Sequence, residues 1–194
     1  EKKKQKSGLW YVKLSLSPDW SAQSFSTTSD LGFNYGLAIE YKLTNSLGIS
    51  AGVMRARKFY TARNIEYGNY SAEYAEGNCN MWDIPIQLNY YKPTNRALQV
   101  FGSLGLSSYL MSKENYTYYP YAANPSIKYS SEVRNENKEW FKVVNVSIGV
   151  QHPISQSLTL QVEPFVKVPL AEMGAGNVAI SSIGLFLNLR YQLK

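Results

Sequence analysis

The sequence predicts an all-β fold: an eight-stranded antiparallel up-and-down transmembrane β-barrel with short periplasmic turns and long extracellular loops. Three observations carry it. Apolar side chains alternate with polar or small ones at a period of two in eight separate segments, which puts them on opposite faces of a strand. Short turns and long links alternate between those segments. The face opposite the apolar one is made of Gly, Ser, Asn and a few charges, which suits a narrow interior filled by side chains.

Taken in chain order, the first segment shows Val12, Leu14 and Leu16 on its apolar face, and the second Phe33, Tyr35, Leu37, Ile39, Tyr41 and Leu43 against Asn34, Gly36, Ala38, Glu40 and Lys42. A turn at Lys42–Ser46 leads into Leu47, Ile49, Ala51 and Val53. Arg55 and Arg57 continue that outward register, so either they have reached the membrane interface or a bulge turns them inward. The fourth segment carries Trp82, Ile84, Ile86, Leu88 and Tyr90, and a turn at Lys92–Arg96 precedes Leu98, Val100, Leu104 and Leu106. Val144, Val146, Ile148 and Val150 follow, then a turn at His152–Gln156 and Leu158, Leu160, Val162, Val166 and Val168. The last segment alternates Ile183, Leu185, Leu187, Leu189, Tyr191 and Leu193 with Gly184, Phe186, Asn188, Arg190 and Gln192. Pro85 and Pro164 fall inside strands, where a missing N–H donor predicts bulges. The long links run from Pro18 to Leu31, Thr61 to Asn80, Ser112 to Lys138 and, shorter and Gly-rich, Ala171 to Ile180. Trp10, Tyr41, Trp82, Tyr90, Trp140, Phe141 and Tyr191 at strand ends read as the two aromatic girdles of a membrane barrel.

A soluble lipocalin-like barrel shares the alternation, with the apolar face turned inward. Its exterior would then present Gly36, Gly52, Gly105, Gly149, Ser50, Ser103 and Ser147 where a soluble surface carries long charged residues. The membrane barrel is therefore the expectation, at one domain over residues 9–194, with residues 1–8 as the end of a periplasmic linker and both termini periplasmic.

Composition removes other classes. The 194 residues are 44% hydrophobic, which excludes disorder, and one cysteine, Cys79, excludes an internal disulfide. No stretch of about 18 apolar residues offers a spanning helix. The net charge of +6 includes four lysines among the first six residues, so a nucleic-acid surface is not expected. One His and one Cys cannot build a metal cluster, and His152 sits beside Pro153 in a turn, so neither an enzyme nor a cofactor is expected.

Charges on the inward face need neutralising. Lys13, Glu40, Lys42, Asp83, Glu163, Lys167 and Arg190 are expected to form a lumen ion-pair network in two layers, with Glu40 and Glu163 on Arg190 and Lys13, and Asp83 near Lys167. Tyrosines crowd two of the long links: Tyr60, Tyr67, Tyr70 and Tyr74 in one, Tyr116, Tyr118, Tyr119, Tyr121 and Tyr129 in the other. They suit a contact surface for envelope proteins or glycans. The competing reading extends the strands above the membrane as hairpins with the tyrosines packed across them.

The segment Cys79–Tyr90, with Asp83-Ile84-Pro85-Ile86 at its centre, resembles the outer-membrane β-barrel family widespread in Bacteroidota. Gly36–Tyr41, Gly105–Met111, Gln161–Leu170 and Gly174–Tyr191 resemble its other strands, so the likeness covers nearly the whole chain after Ser7. The later segments are similar to a subgroup in which the barrel is the C-terminal domain of a dual-membrane-spanning anti-sigma factor. That resemblance implies a barrel that anchors in outer-membrane lipid, senses the state of that membrane and controls a sigma factor through domains absent from these residues. A stand-alone barrel with a structural, adhesion or secretion-associated role is the alternative it leaves open.

Overall fold

The computed structural model describes residues 8–23, 30–67, 70–94, 97–120 and 128–193, apart from the side chains of residues 64–67, 70, 71 and 120. Among the described residues there are nine antiparallel strands: β1 (Leu9–Gln23), β2 (Leu31–Lys42), β3 (Leu47–Tyr67), β4 (Tyr70–Tyr91), β5 (Gln99–Pro120), β6 (Tyr129–Val133), β7 (Lys138–Pro153), β8 (Leu158–Pro169) and β9 (Ile180–Gln192). Eight of them close a ring through successive pairings from β1 to β9, with β9 returning to β1, while β6 pairs only with the far part of β5. The ring removes the open edges that an exposed sheet would leave in lipid.

The register fixes the barrel's shape. From Tyr11 the rung runs through Glu40, Ser50, Gln87, Gly105, Asn145, Lys167 and Ser182, and meets β1 again at Ser21, ten residues beyond its start. Eight strands with that stagger tilt by about 40°. The outward face of β1 runs from Trp10 to Trp20, both half-exposed. At about 3.3 Å per residue and that tilt, these rings stand about 25 Å apart, the height of an outer-membrane apolar band. Leu14, Leu37, Val53, Leu88, Leu104, Ile148, Val166 and Leu187 are exposed between the two levels, as the alternation requires. Trp10 packs on Tyr41 in one girdle, with ring centroids 4.8 Å apart.

Two features depart from the sequence expectation. The stretches 61–80 and 112–138 are strand over most of their length, not long loops, as the hairpin reading of the tyrosine-rich links has it: β3 and β4 form one long hairpin that reaches Tyr67 and Tyr70, and β5 continues to Pro120. Pro85 and Pro164 sit in strands without shifting them. The ladder merely skips the pairs beside them, between Ala51–Ile86 and Met54–Asp83 and between Ser147–Phe165 and Val150–Val162, and the register resumes unchanged. A missing donor costs one ladder bond but adds no residue, so no bulge follows. The register shifts lie higher, at Ala72/Tyr74, at Asn80/Met81, where Ser112 is the extra residue on β5, and at Ser107/Tyr109, where Phe141 on β7 takes a φ of 53°. Arg55 and Arg57 stay outward, and Arg55 pairs with Trp82 at the upper edge of the apolar band.

Above that edge the polarity of the two faces inverts. Inside the band the interior is polar; in the extension built from β3, β4 and β5 it is apolar, with Ala56, Tyr60, Ala62, Ala75, Cys79, Met81 and Tyr116 in one buried cluster. Lipid bathes the outside of the lower part and water the outside of the upper part, so the hydrophobic effect drives apolar side chains inward only above the band. Gly77 makes room for this packing. A Cβ there would stand 2.4 Å from Cζ of Tyr60, its cross-strand neighbour.

Candidate functional site

The lumen carries the charge chemistry. At its lower end Arg190 donates from Nε and Nη2 to the two oxygens of Glu40, at 3.0 and 3.1 Å, and Tyr91 Oη donates to the same carboxylate at 2.8 Å. The guanidinium also stacks 3.3 Å from the Tyr11 ring centroid. Lys42 lies over Tyr91, 3.9 Å from its centroid, and donates to the carbonyl of Asn45 in the turn. Further up, Lys167 binds Asp83 and Lys58 binds Asp19, and both ammonium groups lie 5.9 Å from the Tyr109 ring centroid. Lys58 donates as well to Ser182 Oγ, at 2.8 Å. All six paired side chains are almost wholly buried.

Two of the expected partnerships are present, Arg190 with Glu40 and Lys167 with Asp83; the third is not. Glu163 accepts from Ser147 Oγ at 2.6 Å and from Asn188 Nδ2 at 2.7 Å, and Lys13 forms no ion pair with it. The tilt is the reason. Each step around the ring climbs by slightly more than one residue, so positions level along the chain are not level in the barrel. Lys13 and Glu163 instead line a cavity of about 30 Å³ with Asn145, Asn188 and Gln87, between the two charged levels. Lys13 is 4% exposed there. The Asp19–Lys58 pair escapes the sequence reading because Asp19 falls in the expected Pro18–Leu31 link and Lys58 lies past Val53, the last apolar residue of its segment. Its signal was present: Asp19 shares a face with Lys13, Ser15 and Ser17, and Lys58 with Met54 and Ala56.

The tyrosine positions divide. Tyr60, Tyr116 and Tyr118 are buried in the interior of the extension and so belong to its core, not to a contact surface. Tyr74 and Tyr119 stack outside it at 4.2 Å between centroids, Tyr119 Oη donates to Glu76, and Tyr129 on β6 is exposed. Tyr121 and the side chains of Tyr67 and Tyr70 lie outside the described residues. On the outer face of the extension, Asp30, Phe59, Thr61, Glu76, Asn78, Asn115 and Thr117 line an open cleft of about 500 Å³.

The Ala171–Ile180 link folds over the top of the barrel. Met173 and Val178 bridge to each other and bury themselves in the apolar cluster. Two carboxylates hold the turn down by its backbone: Glu139 accepts from the N–H of Gly174 at 3.1 Å, and Glu114 from that of Ala175 at 3.0 Å. Gly174, at φ 71°, sits so close that a Cβ would stand 2.6 Å from the Glu114 carboxylate. Cys79 lies beneath, above the apolar band. Burial, and after it the nearby Glu114 carboxylate, push its thiol up to about 12.

Comparison with known proteins agrees with this architecture. The family model described as outer membrane protein beta-barrel domain matches residues 2–164. Among solved structures, the chain is similar to Neisserial surface protein A (14% identity, 95% of this chain and 97% of that one, TM-score 0.59). It is also similar to Ail, the attachment invasion locus protein of Yersinia pestis (12%, 96% and 99%, 0.52), and to OprG of Pseudomonas aeruginosa (13%, 97% and 97%, 0.52). Ail has also been solved in complex with the heparin analogue sucrose octasulfate. No curated protein sequence matches the chain.

Proposed function

The chain belongs to the outer membrane protein beta-barrel domain family, and from that footing we propose that it is a closed, non-enzymatic anchor in the bacterial outer membrane that senses the state of that membrane for a trans-envelope anti-sigma regulator. The observation that carries the closed anchor is the lumen: three buried ion pairs and the aromatic side chains around them fill an eight-stranded ring, whose bore is narrow to begin with. The coupling to a sigma factor is supported by the strand resemblance alone, and it runs through domains outside these residues. In this reading residues 1–8 are the end of a periplasmic linker, residues 9–194 are the barrel, the short turns and both termini face the periplasm, and the β3–β6 extension with the 171–180 cap faces the medium.

An antibody against the barrel, applied to separated inner and outer membranes of the source cell, tests this. A species well above 21.9 kDa that links both fractions is the expected result. A species of that mass confined to the outer membrane overturns the regulator and leaves the stand-alone barrel.

The extension is the observation that favours that second reading, since a surface platform is what an adhesion or scaffold barrel displays. Its outer cleft bears Asp30 and Glu76 and no cation among the lining residues, so the polysulfated ligand of Ail is not a fit for it. An uncharged glycan or a basic protein segment is.

A further inference from the structure

The upper edge of the apolar band is not uniform around the barrel. Just past β8, and on β9, β1 and β2, its outward residues are Leu170, Ile183, Trp20 and Leu31, all exposed and all apolar. On β3, β5 and the start of β7 they are cations: one rung reads Arg55, Trp82, Leu110, Lys138 and the next Arg57, Asn80, Lys113. Neither arginine has a carboxylate partner among the described residues. Arg55 is held by a 2.8 Å bond from Nη1 to Ser112 Oγ, the hydroxyl that the β5 bulge turns outward, and its guanidinium lies 5.1 Å from the Trp82 centroid. Arg57 donates to Asn78 Oδ1 at 3.3 Å and lies 4.7 Å from the Phe59 centroid. Lys113 and Arg134 share a single carboxylate, Glu132, which leaves that trio positive.

A guanidinium at the lipid boundary with no anion beside it is costly unless an anion arrives from the solvent or the lipid. Here the two are fixed by aromatic faces and neutral acceptors that orient them and leave their charge uncompensated, and they continue directly from the lipid-facing surface of β3. We propose that this rim, centred on Arg55 and Arg57 with Lys138 and Lys113 beside them, binds the headgroup phosphates of an outer-leaflet glycolipid. Phosphate suits it because arginine forks bind phosphate oxygens in pairs. A lipid source fits because the acyl chains of the same molecule would lie against Val53, Leu106 and Trp82 immediately below, as they do around the rest of the band. Confinement to one side makes this a docked lipid and not a general halo of counterions. The inference rests on the reading that the β3–β6 end faces the medium.

The test uses the whole 194-residue chain, folded in neutral detergent and titrated with diphosphorylated lipid A, with phosphatidylglycerol and with inorganic phosphate, binding being read by native mass spectrometry. The expected result is retention of one to a few lipid A molecules per barrel, preferred over phosphatidylglycerol, with R55Q/R57Q weakening it at least tenfold and K92Q, at the opposite end, leaving it unchanged. Heat-modifiable gel mobility confirms that the double variant is folded, as two outward-facing changes predict. Equal binding by wild type and R55Q/R57Q overturns the proposal. So does displacement of the lipid by millimolar inorganic phosphate, which marks a free-anion site, or equal binding of phosphatidylglycerol. Orientation is read separately, by labelling Y129C in intact cells with an impermeant maleimide: absence of label overturns the outward placement of the rim while leaving the detergent result to judge the phosphate chemistry.

Discussion

Burial alone does not rank the lumen lysines; their partners do. Lys58 and Asp19 neutralise each other in a dry site, so Lys58→Met strands a carboxylate and costs about 3–5 kcal/mol. Lys13 has no ion partner among the described residues, and Glu163 beside it keeps its donors from Ser147 and Asn188, so Lys13→Met costs only about 1 kcal/mol. Urea unfolding in lipid vesicles, followed by gel mobility, reads both; equal losses would mean that Lys13 carries a pairing the geometry does not contain. The thiol of Cys79 offers a second check. With its titration pushed up to about 12 and its side chain buried, it resists iodoacetamide at pH 8 in the folded barrel and reacts at an ordinary rate only after unfolding. At this scale the sequence was legible in identity and misleading in depth. Every lumen charge expected from the alternating face does point inward, but the Lys13–Glu163 pairing required a level count that strand tilt does not respect.

Among the elements, β6 has the weakest hold, because it is five residues long and pairs on one side only. Its outer fastening is Glu132, whose carboxyl the hydrogen bond from Lys113, and then that from Arg134, hold below the usual range. A depressed folded value means stability that is present above the unfolded value and lost as pH falls through the folded one, so the window lies on the acid side of an ordinary glutamate. Hydrogen-exchange protection of the Tyr129–Val133 amides therefore drops across that window, and in high salt, while β1 and β9 keep theirs. E132Q should show the low protection at every pH; protection that ignores both pH and this substitution would place the fastening elsewhere. The elements were readable wherever lipid lies outside, since apolar-out alternation is unambiguous there. The extension is legible only as one of two readings, loop or hairpin, because its alternation is reversed: Ala62, Ala75 and Gly77 face in while Thr61, Glu76 and Asn78 face out, and short, polar, Tyr-rich text of that kind has the composition of a turn.

For the molecule as a whole, a polar lumen stopped by three ion pairs and roofed by the 171–180 turn predicts no ion-channel activity. Planar bilayers with the folded barrel should stay at baseline conductance at neutral pH; discrete, reproducible openings would defeat the closed anchor. The ring was legible from the sequence because eight alternating segments and alternating link lengths leave few other ways to hide backbone groups from lipid. Its closure has a kinetic side. The seam joins Tyr11 to Gln192 across almost the full length of the chain, and β1 has no partner on that side until β9 is in place. The entropy of bringing such distant segments together falls due before the seam gives anything back. Until then every strand carries an uncovered apolar stripe through water. A chain built this way reaches its membrane unfolded and waiting, and its survival on that journey depends on being held by something else.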